Sequence, residues 1–240
     1  MVGAGITEQI PSAMGTPPQN VRLFEDGAWR KLLWRDRFGP EVTFGREISA
    51  AFPDDPLVLC KVARGGANLT YDWNPDGISK GPEDAYRGPL YPKLTAAIET
   101  LRADLDSAGE PYGFCGVIWM QGERDSVFEF MAKSYERNLV ALIATFRRDT
   151  DSSKLPVILG QIAPRVYCLE EGRFQHAFRC TVQEAQRRVS RLDPLVELVE
   201  TMDLPQVDNL HFDTGGQIEL GKRVAQAWLL NADALPSDRG

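Results

Sequence analysis

The sequence predicts an α/β protein: a doubly wound, flavodoxin-like arrangement of three α/β/α layers around a parallel sheet. Three observations carry that expectation. Four short apolar runs rich in β-branched residues are spread along the 240 residues. Stretches whose apolar residues recur at helical spacing alternate with them. The runs are apolar at nearly every position rather than at alternate ones, as strands are when both faces of their sheet are covered. Neither an internal repeat nor a long linker divides the chain, so residues 1–240 read as one α/β unit large enough to bury a real core.

In chain order, the first fifty or so residues are rich in Gly, Pro and polar side chains and read as long surface loops. "PLVLCKVA" (56–63) is the first apolar run, and "YPKLTAAIETLRADLDSAG" (91–109) has helical periodicity and a terminal Gly stop. "YGFCGVIWMQG" (112–122) is the second strand, followed by a long amphipathic helix over 129–149. "LPVILGQIAP" (155–164) is the third strand, and a further helix covers 174–192. "LVELVET" (195–201) is a short fourth strand, and the last helix closes the chain.

Composition narrows the function classes. Hydrophobic residues make up 43% and charged residues 25%, and the formal net charge is −7. Nothing clusters Lys and Arg as nucleic acid or an anionic membrane would require, and no apolar run approaches the ~20 residues of a membrane span. "MVGAGITEQIPSAMG" lacks the basic start and apolar core of a signal peptide. As it stands the chain reads as cytoplasmic, with a periplasmic or secreted address if a leader precedes it. Cys60 and Cys115 sit in apolar runs and read as buried free thiols; Cys168 and Cys180 could pair, although their spacing matches no disulfide or metal framework. With two histidines and no Cys-x-x-Cys, neither a metal site nor a cofactor is expected.

Active-site loops of a parallel sheet lie at the carboxyl ends of its strands, and the polar residues gather there. The first run gives "KVARGGANL" (61–69), where Gly65 and Gly66 let backbone N–H groups approach a ligand as an oxyanion hole requires; a tight turn is the other reading. The second gives "IWMQGERDS" (118–126), crowding Trp119, Gln121, Glu123, Arg124 and Asp125 at one strand end, where a neutral amide could donate to a developing oxyanion. A structural ion pair of Arg124 with Asp125 is the alternative. After the last run, "VDNLHF" (207–212) sets Asp208 three residues before His211. That spacing lets a carboxylate orient an imidazole through Nδ1 and leaves Nε2 to take a proton from a nucleophile; helix capping is the bland reading. His176 falls inside a helical pattern and reads as a surface or half-buried histidine.

Taken together, these segments resemble the SGNH hydrolase superfamily, and within it the sialate O-acetylesterase and acetylxylan esterase-like branch, carbohydrate esterase family six. The branch has a Gly-Gly segment with a downstream Trp-x-Pro, here "ARGGANLTYDWNP" (63–75). It has a Trp-His-Gln-Gly-Glu-Ser-Asp block, here "WMQGERDS" (119–126), and a closing Asp-x-x-His, here "DNLHF" (208–212). "FGPEVTFGREI" (38–48) matches its Gly-Pro-Glu segment. Met120 replaces the block's His, and Arg124 its Ser. The branch opens with a strand ending in Gly-Gln-Ser-Asn-Met before Val-Gly, and its serine is the nucleophile. Met1-Val2-Gly3 aligns just after that serine, so the resemblance puts the serine two residues upstream of Met1. A misassigned start or a truncation would account for this. The chain's own Ser12 and Ser126 sit in no strand-to-helix elbow.

The resemblance implies a carbohydrate O-acetylesterase acting on acetyl esters of sugars such as sialic acid or xylan. His211 is then the general base and Asp208 its orienter; Gly66 and Gln121 complete the oxyanion hole with the serine's own N–H. Gly65, Asn68, Trp119 and Glu123 would contact substrate or support the loops, and Trp73 and Trp119 would suit stacking on a sugar. No cofactor, nucleic acid or membrane partner is implied. An inactive carbohydrate-binding module on the same scaffold is the rival reading, and a fragment that does not fold alone is a third.

Overall fold

The computed structural model describes residues 17–33, 38–75, 89–163, 167–168, 174–208 and 210–232. Its N-terminal region is more regular than its composition predicts. Instead of loops alone, it forms β1 (Val21–Glu25), β2 (Ala28–Arg30) and α1 (Glu41–Ala51). The signal was an Asp-Gly pair between two short apolar stretches. Asp26 and Gly27 both take positive φ, 54° and 82°, which a two-residue hairpin loop requires.

Most of the remaining elements follow the sequence closely: β3 (Leu57–Lys61), α2 (Tyr91–Ala108), β4 (Val117–Met120), α3 (Glu129–Asp149), β5 (Val157–Gly160), α4 (Arg179–Leu192), β8 (Val196–Val199) and α5 (Thr214–Ala232), while the two-residue strands β6 (Tyr167–Cys168) and β7 (Phe174–Gln175) were not expected. Gly109 ends α2 at φ 66°, as the Gly stop predicts. The fourth helix begins five residues later than its periodicity suggests, because Phe174–Gln175 pairs with β6 and His176 turns the chain at φ 62°.

The fold is a mixed α/β structure with helices packed on both faces of parallel strands. β1 and β3 are parallel, with β2 antiparallel outside them; β4, β5 and β8 are parallel in that order. One face of the β4-β5-β8 sheet buries Val157 and Leu159 against Leu139 and Leu142 of α3 and Val182 of α4. The other buries Ile158 against Phe44 of α1 and Val224 and Trp228 of α5. Phe24 of β1 packs on Ala97, Leu101 and Leu105 of α2, while Val21 and Leu23 face Val42 of α1.

The strands group into two three-stranded sheets, not one continuous sheet. No ladder joins β3 to β4 among the described residues. Burial marks the same division: all four residues of β5 are buried, all five of β3 are half-buried, and Ile118 in β4 is 39% exposed. Cys60 and Cys115, expected to be buried, follow that division: Cys60 on β3 is half-buried and Cys115 just before β4 is exposed. Both thiols are free, as is Cys180; the Cys168 side chain, which could have paired with it, lies outside the described residues.

Candidate active site

β3 ends at Lys61, whose ammonium is held by Glu41 at 2.7 Å and Glu25 at 3.1 Å, fixing the exit of the strand. The chain then runs to Gly66, at φ 71° with open space where a side chain would project. Its conformation, not crowding, calls for glycine. The Gly66 N–H is at the surface and has no partner among the described residues. Asn68 next locks a turn: its backbone N–H and Nδ2 both donate to Asp72 at 2.9 Å, and its Oδ1 accepts from Tyr71 N–H at 2.7 Å.

β4 delivers Gln121. Its backbone carbonyl accepts from the Tyr135 hydroxyl at 2.6 Å and from Gln186 Nε2 at 3.2 Å. Its side-chain Nε2 donates to Ala67 O at 3.0 Å and to Asp125 Oδ2 at 2.6 Å, while Oε1 is buried and has no partner among the described residues. Gly122 follows at φ 144°, and a Cβ there would lie 2.9 Å from Val182 and 3.0 Å from Ile162. Asp125 is fully buried and accepts from Leu69 N–H at 2.9 Å, Thr70 N–H at 3.3 Å and Thr70 Oγ1 at 3.2 Å as well as from Gln121. Burial pushes its carboxyl up to about 6, against the lowering effect of these bonds. These contacts bring the loop after β3 and the loop after β4 together at one edge.

β8 leads to the third loop, closed by a Gln206–Phe212 bridge and a 3.0 Å bond from Val207 N–H to His211 O. Asp208 Oδ1 accepts from the N–H groups of Leu210 and His211 at 2.7 and 2.6 Å. Its Oδ2 lies 2.8 Å from His211 Nδ1. A proton on Nδ1 completes that bond and leaves Nε2 as an acceptor. Partial burial raises the Asp208 carboxyl, but the imidazole and the two backbone N–H groups more than reverse this and hold it below the usual range. Because β4, β5 and β8 run parallel, this loop leaves the same edge of its sheet as Gln121.

The model of the carbohydrate esterase family described as sialic acid-specific acetylesterases matches residues 1–230. The chain belongs to this family. The chain is 34% identical over 197 residues to "Probable carbohydrate esterase At4g34215" of Arabidopsis thaliana, which covers 80% of this chain but 64% of that protein's length. The solved structure of the same plant protein superposes with a TM-score of 0.70 at 23% identity, over 94% of this chain and 87% of that one. XAC1771, a carbohydrate acetylesterase from Xanthomonas citri, gives 0.65 at 18% identity, over 94% and 52%. NanS gives 0.67 at 15% identity, over 97% and 93%. These structural likenesses bear on the fold alone.

Within this family member, several sequence expectations change. Trp73 and Trp119 are buried and pack edge-to-face at 5.1 Å, with Trp119 Nε1 3.4 Å from the Tyr135 hydroxyl. They belong to the core beneath the loops rather than forming a stacking platform. Glu123 works through its backbone carbonyl, which accepts from Ser126 Oγ at 2.6 Å and lies 2.6 Å from His176 Nδ1. His176 is buried rather than on the surface. With Ser126 Oγ 2.9 Å from its Nδ1, it imitates a catalytic pair. A nitrogen 2.6 Å from a carbonyl oxygen must carry a proton, however, and the Ser126 hydroxyl also points at that carbonyl. No base is left for this buried serine. Asp125 bonds to the 67–70 loop and to Gln121, a role its sequence position did not suggest. Also unforeseen is the polar row on α4: Arg179 donates to Ala163 O at 2.7 Å, Gln183 to Ile162 O at 2.9 Å, and Gln186 accepts from Ile162 N–H at 3.1 Å. Its i, i+4, i+7 spacing on a buried face was the available signal. Ser12 lies outside the described residues, and no described serine is hydrogen-bonded to His211. Among the described residues, no group of three or more His, Cys, Asp and Glu side chains could hold a metal ion, and no helix is long and apolar enough to cross a membrane.

Proposed function

We propose that this protein is a serine-type carbohydrate O-acetylesterase. The observation that carries the reading is the Asp208–His211 pair, with Nδ1 engaged and Nε2 left to act as a base, on a loop at the carboxyl end of a parallel sheet. Membership of the acetylesterase family supports it. Asp208 orients the imidazole; His211 takes the proton of a serine as its oxygen adds to the acetyl carbonyl. The Gly66 N–H, the Gln121 amide and the serine's own N–H hold the developing oxyanion. Collapse expels the sugar oxygen, which receives the proton from His211. Water, activated by the same imidazole, then releases acetate. Gly65 supports the Gly66 turn, and Asn68 and Glu123 brace the two loops.

The serine is proposed to sit on a strand that precedes Met1 and pairs between β3 and β4. The exposure of Ile118 and of β3 supports that position, since interior strands of a covered sheet are otherwise buried as β5 is. The rival, an inactive sugar-binding module, is favoured by one observation: no described serine touches His211. Release of acetate from O-acetylated sialic acid, acetylated xylo-oligosaccharides and an aryl acetate decides between them, for the chain with and without its upstream coding residues. Hydrolysis by the longer form only supports the full proposal. Hydrolysis by neither, with sugar binding retained, gives the binding module. Full activity of the shorter form moves the nucleophile inside residues 1–240.

A further inference from the structure

Gln121 is held in an orientation that costs it a hydrogen bond. Its Oε1 is buried and has no partner among the described residues. Flipping the amide would not repair this. Both atoms now facing Nε2, Ala67 O and Asp125 Oδ2, are acceptors, and a flipped Oε1 would meet a carbonyl and a carboxylate. The two bonds also differ in kind. The one to Asp125 is short and charge-assisted, whereas the one to Ala67 is neutral and roughly half as strong in general. An incoming oxyanion can compete for the second hydrogen but not for the first. The other Asp125 bonds reach Leu69 and Thr70, in the loop that begins at Gly66.

We propose that Asp125 is a positioning residue for oxyanion stabilisation: its carboxylate fixes which end of the Gln121 amide is offered and sets the spacing of that amide from the Gly66 loop. This rests on the esterase reading above. Asp125 touches no reacting atom and acts through Gln121, much as Asp208 acts through His211. The titratable group that acts on it from another element is Tyr135 of α3. Its hydrogen-bond partners among the described residues are the Gln121 amide and the Leu69–Thr70 groups.

The test is a double-mutant cycle in the serine-bearing form, read as kcat and KM on an aryl acetate. Gln121→Ala should lower kcat about 10²–10³-fold, the usual effect of one lost oxyanion donor. Asp125→Asn should lower kcat about 10–10²-fold with KM within about threefold, because it disorients the donor without removing it. In the double variant, Asp125→Asn should add less than about threefold to the loss from Gln121→Ala. Losses that multiply would overturn the proposal, since Asp125 would then act through the fold at large. A second readout needs neither activity nor a variant. In the labelled 240-residue chain, the two Gln121 side-chain amide hydrogens should move with the Asp125 carboxyl carbon in a titration centred near pH 6. Amide signals that ignore that titration also overturn it. If no form hydrolyses acetate esters, the esterase reading fails, while the amide titration still decides whether Asp125 sets Gln121.

Discussion

Two carboxylates in this protein each orient a partner a few residues away, and their surroundings are opposite. Asp208 and His211 are three residues apart on a loop, with side chains 41% and 44% exposed. Asp125 and Gln121 are four apart, with Asp125 fully buried and Gln121 nearly so. On the proposed reading, the difference follows from what each partner must do. An imidazole that passes protons must take both charge states, and an exposed site lets water stabilise either one. An amide donor never titrates, so it can be buried, where a fixed dipole acts in a low dielectric and is worth most. The carboxyls diverge accordingly: Asp208 is held below its usual range and Asp125 is raised to about 6.

The largest break in this comparison comes from the exposed pair. In the serine-bearing form, His211→Ala should cost at least ~10³–10⁴ in kcat on an aryl acetate, since members of such a unit fail together. Its melting temperature should barely move, because an exposed pair contributes little stability. Kinetics and calorimetry on one preparation check both halves. Asp208→Asn should be milder, about 10²–10⁴-fold in kcat, as the imidazole remains but its tautomer is no longer fixed.

On the buried side the larger signal is thermodynamic. A carboxyl raised from 3.8 to about 6 is protonated in the folded protein over a range where the unfolded chain has already lost its proton. Its contribution is therefore most favourable below about pH 4 and declines as pH rises to about 6, by on the order of 3 kcal/mol. Asp208 works the other way, giving stability above the ordinary carboxylate range that is lost as pH falls. Urea unfolding of the wild type and of Asp125→Asn at pH 4.5 and 6.5 separates the two: the substitution should remove the decline. An unchanged difference between the two pH values would mean that the Asp125 carboxyl is not raised. The smallest effect is expected at Gly66. Gly66→Ala meets no atom but must keep φ near 71°, a cost of about 1–2 kcal/mol. A melting curve would check it.

The exposed pair was legible in the sequence and the buried one was not, for a physical reason. Asp208 and His211 make their bond within four residues, so spacing allows it and the loop position after the last strand favours it. Asp125 draws most of its bonds from Leu69 and Thr70, more than fifty residues away, and no local pattern records them. The strands at β3, β4, β5 and β8 were readable because their runs are apolar at nearly every position. β2 lies at a sheet margin with β1 beside it, both interleaved with charged residues, and their Asp26-Gly27 turn was the available signal. Trp73 and Trp119 misled because an aromatic beside a polar loop suits a sugar platform and a core prop equally well; burial alone tells these apart.

The central claim is that His211 activates a serine at the carboxyl end of the parallel strands. Labelling with a fluorophosphonate, followed by mass spectrometry of the modified peptide, tests it most directly. The account predicts a single labelled serine on the segment preceding Met1 in the longer form, no labelling after His211→Ala, and none in residues 1–240 alone. Labelling of Ser12 or Ser126, or labelling that survives His211→Ala, would contradict it.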